Sequence, residues 1–182
     1  MGEDFAKQYW DYAAGYNLTN RMPLYVFPPE KLSLTSVMAS MRSHYEGTYF
    51  DMTGQTFNDV GAEDASMPIR SHPLTWENSQ GEEYFHERPI ATPQTGWNFV
   101  AQSRSWMPAP LASVLWFGVD DSSTTVRFPI HGGATRVPSA FAGAGTQDGF
   151  TAPLLTFNWQ SAFTVFNVVA NFAYNRWYAF SP

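Results

Sequence analysis

Two strand-type segments and a third behind a tight turn, all within residues 96–130, restrict this chain's architecture more than any other feature. GWNFVAQSRSW (96–106) alternates apolar and polar residues, as a half-buried strand does. ASVLWFGVD (112–120) is a nearly unbroken apolar run, the signature of a strand covered on both faces. Asp120-Asp121-Ser122-Ser123 has turn composition, and TTVRFPI (124–130) returns as a third strand whose Pro129 confines it to an edge or exit. Segments this close in sequence form an antiparallel meander, since parallel neighbours need a long crossover.

Helical periodicity flanks the meander. DFAKQYWDYAAG places Phe5, Tyr9, Trp10 and Tyr12 roughly on one side, with Asp4 as a cap and Gly15 as a stop. RMPLYVFPPEK (21–31) is extended and punctuated by proline. Leu34, Val37, Met38 and Met41 then recur at helical spacing behind a Ser33 or Thr35 cap, in a helix running out at about Ser43. WQSAFTVFNVVANFAYNRWYAF predicts a long amphipathic helix. Phe163, Phe166, Val169, Ala170, Ala173 and Trp177 form one face, and Asn167, Asn171 and Asn175 another. The class is α+β, an antiparallel sheet with packed helices. We read 1–182 as a single domain: a helical part to about 45, a loop region at about 46–95, the meander at about 96–130, and the C-terminal helix at about 158–178. A second irregular, glycine-rich segment, HGGATRVPSAFAGAGTQDG, links the last two.

Composition narrows the function. Aromatics reach 17% while charged residues are only 14%, well below the usual quarter, so much ring surface awaits burial, part of it against other polypeptide. The net charge of −6 and the absence of any Lys/Arg run argue against nucleic acid. No apolar stretch approaches the roughly 18 residues of a membrane span. There is no cysteine, which removes disulfides and thiolate metal sites, and the four histidines have no ligand-like spacing, so no cofactor or metal is expected.

Catalytic chemistry is sparse. There is no G-x-S-x-G elbow and no phosphate loop, HGG at 131–133 lacking the Lys and helix that would make one. Ser43-His44 is only a dipeptide at a helix end, where histidine commonly caps carbonyls. Glu46 and Asp51 form a carboxylate pair able to hold a substrate amine; Asp120 and Asp121 are accounted for by turn chemistry. Gln102 and Arg104 alternate along the first strand and share a face; pointing inward, Arg104 demands a carboxylate partner. By these residues alone the chain has no self-sufficient catalytic centre.

MRSHYEGTYFDMTG (41–54), ERPIATPQTGWNFVAQSRSWMP (87–108), LASVLWFGVDDSSTTVRFPI (111–130), TRVP (135–138) and FNWQSAFTVFNVVANFAYNRW (157–177) together resemble the C69 peptidases, dipeptidases with an N-terminal-nucleophile (Ntn) hydrolase fold. NRMPLYVFPPEKLS also fits, so the likeness spans almost the whole chain. The resemblance implies one layer of an αββα sandwich and a cysteine nucleophile whose own α-amino group is the general base. Without a Cys, the chain resembles the later part of such an enzyme: no catalytic residue within it, inactive alone, with the remaining N-terminal portion of the protein and a dipeptide as partners, and self-association through exposed aromatics. In that setting 42–54 is a loop facing the cleft. Glu46 or Asp51 would pair with the dipeptide ammonium, and Arg42, His44 or Arg104 with its carboxylate, Gln102 lying beside them. Tyr49, where the family usually has proline, and His131-Gly132-Gly133, in place of a more aromatic run, depart from the pattern. Two rival readings are a non-catalytic binding or structural module of the same fold, and a metal-dependent hydrolase using His44, Glu46 and Asp51.

Overall fold

The computed structural model describes residues 3–13, 15–48, 51–53, 75–85, 88–142 and 157–177. Residues 54–74 of the expected loop region, 143–156 of the glycine-rich segment, and Tyr49 lie outside the described residues. The chain divides into two compact units, Met1–Ser36 and Val37–Pro182.

In the first unit the predicted N-terminal helix is two short ones, α1 (Glu3–Gln8) and α2 (Trp10–Ala13). Phe5 and Tyr9 sit one turn apart with ring centroids at 5.0 Å. The backbone leaves the helix at Gly15, whose φ of 81° is the left-handed conformation a glycine tolerates. Beyond it the proline-punctuated stretch is irregular and exposes Leu24 (98%) and Phe27 (84%). Helix α3 (Leu34–Ser40) begins where expected, Ser33 Oγ accepting from the Ser36 amide at 3.0 Å, and its regular part ends three residues short of Ser43.

The second unit holds the predicted meander. β3 (Trp97–Ser103), β4 (Ser113–Val119) and β5 (Phe128–His131) pair antiparallel in the order β3-β4-β5, with Phe99 opposite Phe117 and Phe117 opposite Phe128. Two boundaries differ from the sequence reading. Ala112, read as the first residue of the strand, instead closes helix α4 (Ala109–Ala112), started by Pro108 and Pro110, which suit a helix's first turn. Thr124–Arg127, expected in the third strand, are a loop, held in a turn by the Thr125 amide donating to Asp121 O. A further hairpin, β1 (Thr75–Glu77) with β2 (Glu83–Phe85), lies within the stretch read as loop.

The register sorts side chains onto two faces, because residues opposite one another across an antiparallel pair share a face. Trp97, Phe99, Phe117 and Phe128 stand on one; Trp97 and Phe99 stack at 5.6 Å yet remain 61% and 42% exposed. Asn98, Gly118 and Val114 stand on the other, where all three are buried. Helix α5 (Ala162–Asn175) starts with Ser161 accepting from the Thr164 amide. Its buried stripe is Ala170, Ala173 and Tyr174, continued past its end by Trp177. The expected Val169 is exposed and Phe163 and Phe166 are half-buried, because small alanines let the helix approach closely while Tyr174 and Trp177 fill the space around His44. The architecture is α+β.

Candidate functional site

Three stretches of the second unit converge on one buried polar cluster: the loop after α3, the 120–127 loop between β4 and β5, and the C-terminal half of α5. Arg42 fastens the first to the second, donating to Ser123 O at 2.6 Å and Thr125 O at 2.9 Å, while Ser122 Oγ donates to Met41 O. His44, fully buried, joins the first to the third. Its Nδ1 lies 3.1 Å from Glu46 Oε1 and its Nε2 2.9 Å from the Tyr174 hydroxyl, with the Trp177 ring at 4.7 Å. A carboxylate only accepts, so Nδ1 carries the proton; in the neutral ring Nε2 then accepts from Tyr174.

The HYEGT loop is built by its own side chains. Tyr45 (φ 65°) and Gly47 (φ 72°) both take left-handed backbone, bending the chain back on itself. Glu46 also accepts from the His44 amide at 2.8 Å and from Ser43 Oγ at 3.1 Å. Partial burial raises the Glu46 pKa, but its bonds and attraction to His44 outweigh that, leaving it below the ordinary value. Asp51, buried, accepts from the Gly47 amide at 3.0 Å, the Thr53 amide at 2.9 Å and Thr53 Oγ1 at 2.5 Å.

The structure therefore brings Arg42, His44, Glu46 and Asp51 together. Gln102 and Arg104 lie elsewhere: four residues along β3 from Asn98 is roughly 13 Å at strand rise. Gln102 Oε1 accepts from Trp116 Nε1 at 3.2 Å, and Arg104 donates to Leu111 O at 2.5 Å, closing its own hairpin. All six have bonds within the chain. Ser43 Oγ is held by Glu46, not by a histidine. Among the described residues no group of three or more His, Asp or Glu is placed to hold a metal ion.

Arg104 still keeps a buried Nε without a partner, and sequence reasoning missed most of the other residues whose buried polar atoms have none. Arg127 is 8% exposed, and none of its three guanidinium nitrogens has a hydrogen-bond partner. Burial, with help from the like charge of Arg42 and against the attraction of Asp121, holds its pKa below the ordinary value. Asp120, Asp121 and Asn98 are buried around it, and each retains one oxygen without a partner, as Trp177 retains its indole N–H. Turn chemistry explains half of Asp121, and the half of Asp120 that is bonded is bonded to helix α5. Asp121 Oδ2 accepts from Ser123, and Asp120 Oδ1 accepts from Asn167 Nδ2 at 3.3 Å. Burial lifts Asp120 above the ordinary carboxylate range, only partly offset by Asn167. Tyr174 is raised by burial and by the charge of Asp121. Glycine at 118 makes this assembly fit: a Cβ there would meet Thr125 Cγ2 at 2.9 Å, Arg127 Cγ at 3.3 Å and Asn98 Oδ1 at 3.3 Å. The available signal for Arg127 was a cation inside an apolar strand-like run, the kind of position that needs a partner.

A cluster of buried, incompletely compensated charges where loops meet at a sheet's end is typical of an enzyme's working interior. Here the enzyme class is a peptidase. Residues 7–182 match the model of peptidase family C69, and the chain belongs to that family. No curated protein and no solved structure matches it.

Proposed function

We propose that this chain is the later part of a cysteine-nucleophile dipeptidase of the Ntn type, its sheet being one layer of an αββα sandwich and its buried polar cluster the floor on which the catalytic cleft is assembled. The family match supports hydrolysis of peptide bonds. The finer reading rests on the cluster: Arg127, Asp120 and Asp121 are buried with bonding capacity unused, in a sequence that contains no cysteine. Buried charges cost several kcal/mol unless paired, so a fold keeps them where a further structural layer or a substrate completes their surroundings. The exposed Trp97–Phe99 stack is the kind of surface a second layer covers. In such an enzyme the thiolate displaces the leaving amine to give a thioester, which water then resolves.

Purified residues 1–182 are expected to release no amino acids from dipeptides, and a longer protein including a preceding Cys-bearing segment to do so until its thiol is alkylated. Dipeptide hydrolysis by the 182-residue chain alone would refute the proposal. A second reading, a non-catalytic module, is favoured by one observation: the six charged or polar residues suggested by sequence all have internal partners. Inactivity of the longer protein toward dipeptides would establish it.

A further inference from the structure

A pocket beside β5 shares no lining residue with the polar cluster. It is an open concavity of about 260 Å³ between α4, β5 and the turn that follows β5. Leu111, Phe128, Ile130 and Pro138 give it apolar walls, and Arg136 is its one cationic lining residue, with no carboxylate among them. In a chain of net charge −6 that is a local reversal of sign. Nδ1 of His131 is buried in the wall without a hydrogen-bond partner.

The pocket is held open by the HGG turn. The Gly132 amide donates to Ser113 O at 2.9 Å, the Gly133 amide to Pro110 O at 3.0 Å, and the Ala134 amide to His131 O at 2.9 Å. Neither glycine has room for a side chain: a Cβ on Gly132 would lie 2.4 Å from Ser113 Oγ, and one on Gly133 2.7 Å from Pro110 Cβ and 3.1 Å from Pro110 O. The turn is thus pressed onto α4, and prolines at 110, 129 and 138 stiffen the rim. Pre-formed concave sites with apolar walls and a few polar groups are where small molecules bind.

We infer that this pocket binds a small apolar monocarboxylate, its hydrocarbon body against Leu111, Phe128 and Ile130 and its carboxylate on Arg136. A planar guanidinium takes a carboxylate through two parallel bonds, and the absence of acidic lining residues leaves it free to do so.

Isothermal titration of the purified chain with 3-phenylpropionate, and separately with 3-phenylpropionamide, tests it. The acid should bind saturably at one site, about ten-fold tighter than the amide, as one charge-assisted pair implies. In Arg136→Gln the acid should weaken to the level of the amide. In Leu111→Ala both should weaken by a similar factor, since that change removes wall and leaves charge. No saturable binding by the acid, equal binding of acid and amide, or discrimination surviving in Arg136→Gln would each overturn the inference. None of these outcomes depends on whether the chain cleaves peptides.

Discussion

Replacing Arg127 by Met tests whether the cluster holds a charge unsatisfied within this chain. Met keeps the methylene stem that packs over Gly118, where Arg127 Cγ sits 3.3 Å from the site of an added Cβ, and deletes only the guanidinium. The residue is 8% exposed and its guanidinium is buried without a hydrogen bond, so removing that group takes away a desolvation cost and no bond. Exchanging a whole buried ion pair or triad for apolar groups of similar volume often stabilises by about 1–4 kcal/mol, whereas deleting one partner of a hydrogen-bonded pair costs about 3–5 kcal/mol; Arg127 makes no such bond and falls nearer the first case. The lost attraction to Asp121 trims the gain here, the lost repulsion from Arg42 adds to it, and about 1–3 kcal/mol is the expected net. At about 3 °C per kcal/mol for a chain of this size, the melting temperature should rise roughly 3–9 °C. Circular dichroism melts and urea unfolding of wild type, Arg127→Met and Arg127→Lys would read it, the Lys variant keeping the charge and gaining nothing. A loss of more than about 1 kcal/mol in Arg127→Met would show that the guanidinium is paired internally in solution, and the cluster would then be ordinary structure.

Two carboxylates should pull the pH dependence of stability in opposite directions. Glu46 has a depressed folded pKa, so its contribution is present above its unfolded value of about 4.5 and is lost as pH falls through the lower folded one; urea unfolding of Glu46→Gln should lack that acid-side loss. Asp120 has a raised folded pKa, so ionising it destabilises the fold above that pKa, and the penalty fades as pH falls through it. Asp120→Asn, which keeps the Oδ1 acceptor for Asn167 and tolerates the left-handed φ of 65°, should therefore be more stable than wild type at pH 7 and lose that advantage below about pH 3.8. A constant advantage across both pH values would refute the assignment.

The sheet was legible because alternation over seven residues in β3 and an apolar run in β4 leave little choice of structure, and Pro129 correctly marked an edge strand. Helix α5 was legible from its period, but which residues it buries was not. Burial there is decided by His44, more than a hundred positions away, which draws in Tyr174 and Trp177. The β1–β2 hairpin escaped because strands of three residues are too short to show a period; its turn is set by Asn78 accepting from the Gln80 and Glu82 amides and by Gly81 at φ 79°. Arg127 escaped because alternation in TTVRFPI predicts a strand, and in a strand Arg faces either water or a partner with equal plausibility.

The stretch that most readily identifies the family is also the stretch whose charges are most fully occupied with itself. In HYEGT each residue type answers a local geometric demand. Tyr45 and Gly47 carry positive φ, Glu46 binds the backbone and ring of His44, and Thr48 Oγ1 donates to Tyr45 O. Asp51 then ties the end of that loop to Gly47 and Thr53. Residues recruited to hold a loop have little capacity left to hold a ligand. The unspent capacity lies in Asp120, Asp121 and Arg127, whose types look unremarkable where they stand in the sequence. A specific motif thus points to the cluster without containing its unpartnered charges: it braces the 120–127 loop through Arg42 and helix α5 through His44, and that loop carries buried groups with bonding capacity to spare.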